Sequence, residues 1–176
     1  MSSFSGWAVI DLKDGRDPDE FTLALAAAHQ SALDVMIEGA RVFVFADFGV
    51  TLSSAVEKLM PEWGARAITA SDFDEHGVTN EVLGPDGTAA HVASIEEEGV
   101  GLPDNDTVES RRAAAALFGV EPSALDEVAE TWNEEGAQPS VLGVPYLRWW
   151  TALGAPWPHP FESTTVEPPT ATGCGS

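Results

Sequence analysis

Cysteine is almost absent: Cys174 stands alone in a chain of 176 residues. A single thiol excludes an intramolecular disulfide and a four-thiolate zinc site, and it fits a reducing compartment. Its place third from the end misses the prenylation box, and no basic neighbour lowers its pKa. Histidine is sparse as well. His29, His76, His91 and His159 are scattered without an HExxH pairing, so zinc hydrolase chemistry has no scaffold. Long apolar runs are missing, and the longest, Ala113 to Val120, falls far short of the roughly 18 residues that cross a bilayer. The start, Ser2-Ser3-Phe4-Ser5 leading to Asp11 and Lys13, lacks the basic start and apolar run of a signal peptide. These absences predict a soluble, cytoplasmic protein.

Catalytic signatures are also missing. The chain has no Gly-x-Ser-x-Gly elbow, no phosphate-binding Gly-Lys-Ser/Thr loop and no complete Gly-x-Gly-x-x-Gly fingerprint. Gly99-Val100-Gly101 follows Glu96-Glu97-Glu98, which would repel a pyrophosphate. Asp47-Phe48-Gly49 resembles a kinase tripeptide, but the Gly-rich loop, strand lysine and catalytic His-Arg-Asp segment that accompany it in kinases are missing. No motif marks a particular reaction, and no cofactor or metal is implied.

Positive charge is the scarcest commodity. Eight Lys and Arg face 29 Asp and Glu, a net charge of −21. Such a field repels phosphate backbones and anionic lipids, which disfavours direct nucleic-acid and membrane binding and favours a basic protein partner. The plainer reading is solubility or adaptation to a salty cytoplasm.

What is present suffices to fold. Apolar residues make up 44% of the chain and charged residues 21%, which is the composition of one globular domain able to enclose a core. Gly6 to Leu12 reads as a strand ended by Asp14-Gly15. Asp17, Pro18 and Glu20 then start a helix whose apolar positions Phe21, Leu25, Ala28, Ala32 and Val35 carry it to Met36, with Gly39 closing it. Arg41 to Ala46 is a continuous apolar run, as expected of a central strand covered on both faces. Ser54 with Glu57 starts a second helix that Pro61 stops. Ala65 to Ala70 reads as a third strand, and Val78 to Leu83 with Thr88 to Ile95 flank Gly84-Pro85-Asp86-Gly87 as a hairpin.

The character after Ile95 is helical and acidic. Asp106 with Glu109 offers a capping box for an alanine-rich helix ending at Gly119. Pro122 opens another, with Leu125, Val128, Ala129 and Trp132 as an apolar stripe and Asp126, Glu127, Glu130, Glu134 and Glu135 around the rest. A short helix from Pro145 presents Tyr146, Trp149, Trp150 and Leu153. The expected fold is α+β, or mixed α/β: a mixed sheet of about five strands covered by helices, with a helical C-terminal part. Residues 1–161 form one acidic domain, and 162–176, rich in Ser, Thr, Pro and Gly, form a disordered tail dispensable for folding.

Charge is densest between Glu96 and Glu135, where twelve acids meet two bases. The expected function is therefore a non-enzymatic acidic protein that neutralises a basic partner, such as a bacterial toxin immunity protein or antitoxin, through Asp126, Glu127, Glu130 and Glu134 and the aromatic residues Trp149 and Trp157. Two alternatives stand beside it. A small enzyme or ligand-binding domain would use a carboxylate-lined crevice near Asp47, at the carboxyl end of the central strand. A nucleic-acid mimic would space its acids like phosphates. Asp72, Asp74, Glu75 and His76 gather cation-ligand types, but their spacing matches no ligand pattern and suits a solvated loop.

Overall fold

The computed structural model describes residues 4–47, 51–73, 76–96, 101–132 and 146–170. Strand β1 (Ser5–Leu12) begins the fold, and helix α1 (Pro18–His29) follows as the capping residues require. The Asp17 side chain accepts the Asp19 N–H at 2.9 Å, and Pro18 occupies the first turn, where its missing N–H costs nothing. The helix stops at His29, short of the expected Met36. Gln30 adopts a left-handed conformation with φ 64°, and its N–H closes the last turn onto the Ala26 carbonyl. Leu33–Glu38 then forms β2, because Leu33, Val35 and Ile37 alternate with Asp34, Met36 and Glu38 at the strand period.

Strand β3 (Arg41–Asp47) is followed by α2 (Leu52–Trp63), β4 (Gly64–Asp72), β5 (Gly77–Leu83) and β6 (Ala89–Glu96). Pro61 lies inside α2 rather than ending it: it removes one donor, and the Gly64 N–H still reaches the Met60 carbonyl. The expected hairpin is β5–β6, turned by Gly87 at φ 83° and by the Asp86 carboxylate accepting the Thr88 N–H. Helices α3 (Val108–Phe118), α4 (Pro122–Thr131) and α5 (Leu147–Ala152) come next. Thr107, with Ser110, supplies the capping box of α3 in place of Asp106 and Glu109.

The sheet has seven strands in the order β6-β5-β4-β1-β3-β2-β7, every pair antiparallel. The expected mixed sheet of about five strands is thus corrected on both counts. One added strand is β2, hidden in the helical spacing after α1. The other is β7 (Thr164–Val166), which pairs with Leu33–Val35 of β2 within the segment expected to be disordered. Thr and Val fit a pleated edge, and β2 offers unpaired backbone groups there.

Alternation along the strands feeds two cores. Ala8, Ile10, Val42 and Val44 face Phe21, Leu25, Leu52 and Val56 of α1 and α2. Val9, Phe43, Ile68 and Val82 face Phe118, Leu125, Trp132, Trp149 and Trp150 on the other side. No helix among the described residues is long and apolar enough to cross a membrane.

Candidate functional site

The acidic helix α4 is held by two arginines: Arg148 donates to the Thr131 carbonyl at its end, and Arg111 binds its flank. Its stripe residues Leu125, Val128 and Trp132 are buried, which turns Glu127 and Glu130 outward. Asp126 sits at the margin. It accepts Arg111 Nε at 2.7 Å, while another Arg111 nitrogen donates to Asp106 at 2.6 Å, tying α3 to α4 and to the segment before α3. Glu134 and Glu135 lie outside the described residues.

Asp106 also meets His91, whose Nε2 lies 3.0 Å from the same oxygen. His91 is fully buried on β6 against the Trp149 ring, with centroids 4.6 Å apart. Burial pushes its pKa below the usual histidine value and outweighs the attraction of Asp106. The neutral ring must then carry its proton on Nε2 to satisfy the carboxylate, leaving Nδ1 as a buried acceptor without a donor.

A second polar node gathers Asp11 of β1 with Arg41 and Arg66. Arg41 binds both carboxylate oxygens, at 2.6 and 3.0 Å, and Arg66 adds a bond of 2.6 Å. Burial alone would raise the Asp11 pKa, but the two guanidiniums prevail and hold it below the ordinary carboxylate value. Arg66 continues to the Leu117 carbonyl and Arg41 to the Gly154 carbonyl, so the node ties the sheet to α3 and to the turn after α5. A cavity of about 450 Å³ opens beside it, and Leu117 separates it from a mostly apolar hollow of about 440 Å³ floored by Ala89, Ala90, Ala113 and Ala116.

Glu81 on β5 is the carboxyl group that burial and the neighbouring Glu57 push upward in pKa, against a 3.0 Å bond from Ser53. It lines neither of these cavities. Among the described residues no group of three or more His, Cys, Asp or Glu is placed to hold a metal ion.

The expected site residues are not gathered in one place. Trp149 is 0% exposed, sandwiched by His91 and Trp132 in the core, so its expected role as a partner contact is corrected: an indole without surface cannot meet a partner. Trp157 is partly buried among Trp7, Phe43, Trp150 and Phe161, where it packs the second core. Asp47 is exposed at the end of β3 opposite Ser5, and lines neither cavity described above. His76 is exposed just before β5, while Asp74, Glu75 and Cys174 lie outside the described residues. Sequence reasoning missed the His91–Asp106–Arg111–Asp126 chain and the Asp11–Arg41–Arg66 node, because each joins residues from separate elements. No family model, no curated protein and no solved structure matches this chain.

Proposed function

We propose that the chain is a non-enzymatic acidic binding protein that neutralises a basic protein partner, in the manner of a bacterial toxin immunity protein or antitoxin, with the outward face of α4 as a main contact. One observation carries this reading: the acids of α4 are placed where helix physics disfavours them. Glu127 and Glu130, both exposed, are three residues apart and neighbours on the helix surface, a like-charge spacing that costs a helix roughly 0.2–0.5 kcal/mol. Glu130 occupies the last turn, next to the negative end of the helix dipole, while the favourable N-terminal end carries an acid only at the cap, Glu121. Stability alone would not place Glu130 at that end.

The cations deepen the imbalance. Arg41, Arg66 and Arg111 are spent on Asp11, Asp106 and Asp126, and the Arg148 guanidinium donates to Thr131 at the end of α4. An acidic face of this kind speeds encounter with a basic surface and rejects acidic competitors. The lone cysteine supports a reducing, cytoplasmic setting.

The test begins with affinity capture from the native host and mass spectrometry, followed by binding measurements with the purified partner across salt concentration. The reading expects a partner of opposite charge whose affinity falls as salt rises. A captured partner that is itself acidic, or that binds with no response to salt, would sink it.

A further inference from the structure

The two edges of the sheet are finished differently. Outside β6, the Asn105 N–H donates to the Val92 carbonyl at 2.8 Å and Trp132 Nε1 to the Ser94 carbonyl at 3.2 Å, so that edge is closed by its own chain. At the other edge β7 pairs with β2 only from Leu33 to Val35. Among the described residues, no strand continues the pairing along Met36, Ile37 and Glu38 on that side. An unpaired edge is a template for another strand, and proteins ordinarily blunt it with charge, proline or a cover. Here the open stretch has one charge, Glu38 at its end, and carries Ile37, β-branched and 39% exposed. A cavity of about 450 Å³ lies beside it, lined by Asp19 and Thr22 of α1, by Val35, Met36 and Ile37 of β2, and by Glu162, Thr164 and Val166 of the β7 segment that now covers it.

Charge selects the occupant. Asp19 of α1 lines this cavity and no Lys or Arg does, while Asp34 and Glu38 stand on β2 itself. Arg41, the ladder partner of Glu38, is clamped by Asp11 and also attracts Glu38, which leaves Asp34 and Asp19 as the acids without an arginine beside them in the ladder. A second copy of the chain would set −21 against −21. An extended segment alternating basic and apolar residues matches instead: at the strand period, one set of side chains reaches Val35 and Ile37 while the other meets Asp34 and Glu38. The present neighbour is weakly held. Thr164 and Thr165 are exposed, and β7 is anchored by half-buried Val166 and by a 2.9 Å bond from Thr165 Oγ1 to Asp34.

We propose that the edge of β2 from Leu33 to Glu38 is a strand-addition site for an extended basic segment of a protein partner, which displaces β7. It rests on the preceding reading only for the sign of the partner's charge, since α4 lies in the helical layer over the far part of the sheet.

The test uses the full chain and the heptapeptide Lys-Ile-Lys-Val-Lys-Ile-Lys, with a second copy of the peptide N-methylated at every residue. The methyl groups keep charge and side chains but abolish main-chain donation. The site predicts that the methylated peptide binds about tenfold more weakly, that the unmodified one slows amide exchange at Met36, Ile37 and Glu38, and that Thr165→Pro, which loosens β7, tightens binding severalfold. The Glu127→Lys/Glu130→Lys variant should bind the peptide as the parent does. Equal binding of both peptides, or loss on reversing Glu127 and Glu130 with no response to Thr165→Pro, overturns the β2 site while leaving a basic partner at α4 intact. No binding of either peptide at low salt also overturns it, and the salt response of the captured partner then judges the basic-partner reading by itself.

Discussion

His91 Nε2 donates to Asp106 Oδ1 across 3.0 Å, and the imidazole that makes this bond is wholly buried and neutral. Asp104 favours its protonation and Arg111 opposes it, but burial is the largest influence. As pH falls below the usual histidine value of 6.5, the unfolded chain takes up a proton that the folded chain resists. The contribution of His91 is therefore complete above pH 6.5 and is lost progressively below it. His29, lowered by burial, acts with the same sign, whereas Glu81, raised by burial, acts with the opposite sign above 4.5.

The first prediction compares denaturant stability of parent and His91→Gln between pH 7.5 and 5.5. Glutamine keeps a donor for Asp106 without titrating, and the His29 and Glu81 contributions are common to both proteins. The parent should lose stability more steeply than the variant on acidification. Parallel curves would mean that His91 titrates alike folded and unfolded.

Val44 is 0% exposed and lies between Ala8 on β1 and Val35 on β2. Val44→Asp buries an unpaired carboxylate, a cost of several kcal/mol that should leave no soluble folded protein. Val44→Ala should fold but lose about 2 kcal/mol in urea unfolding. Normal yield of the aspartate variant would overturn the placement of β3.

The strand over Val42–Ala46 was legible because a short run buried on both faces needs no alternation, and the start of α1 because Asp17 and Pro18 act locally. β2 was not legible. Ala28, Ala32 and Val35 keep helical spacing, and the element turns on Gln30 adopting a left-handed conformation that glycine or asparagine would have advertised. β7 has no signal of its own: Thr164–Val166 becomes a strand only because β2 presents an edge. The burial of both Trp149 and Trp150 was equally hidden. Adjacent residues on a helix point about 100° apart, yet Trp149 meets His91 and Trp132 while the Trp150 indole donates to Asn80 at 2.8 Å. For the same reason the α4 acids were readable from local spacing, but the diversion of Asp126 to Arg111 was not.

Removing residues after Phe161 deletes β7 and with it the pairing along Leu33–Val35 and the packing of Val166. Three edge pairs and one half-buried valine amount to about 1 kcal/mol. The thermal midpoint should fall by about 2–4 °C, with faster amide exchange at Leu33–Val35. An unchanged midpoint and unchanged exchange would show that β7 contributes no stability.

The central claim is that Glu127 and Glu130 steer a basic partner, and stopped-flow association kinetics test it most directly. The captured partner is mixed with the parent chain and with Glu127→Lys/Glu130→Lys at low and high salt. The thermal midpoint of the double reversal should be slightly above that of the parent, because Glu130→Lys places a cation in the last turn of α4, an effect of about 0.3–1 kcal/mol. The account predicts that the double reversal slows association by about tenfold or more at low salt and that the difference narrows at high salt, as screening shortens the reach of the face. Equal association rates for both chains, with no response to salt, would contradict it and reduce the acidic face to a solubility device.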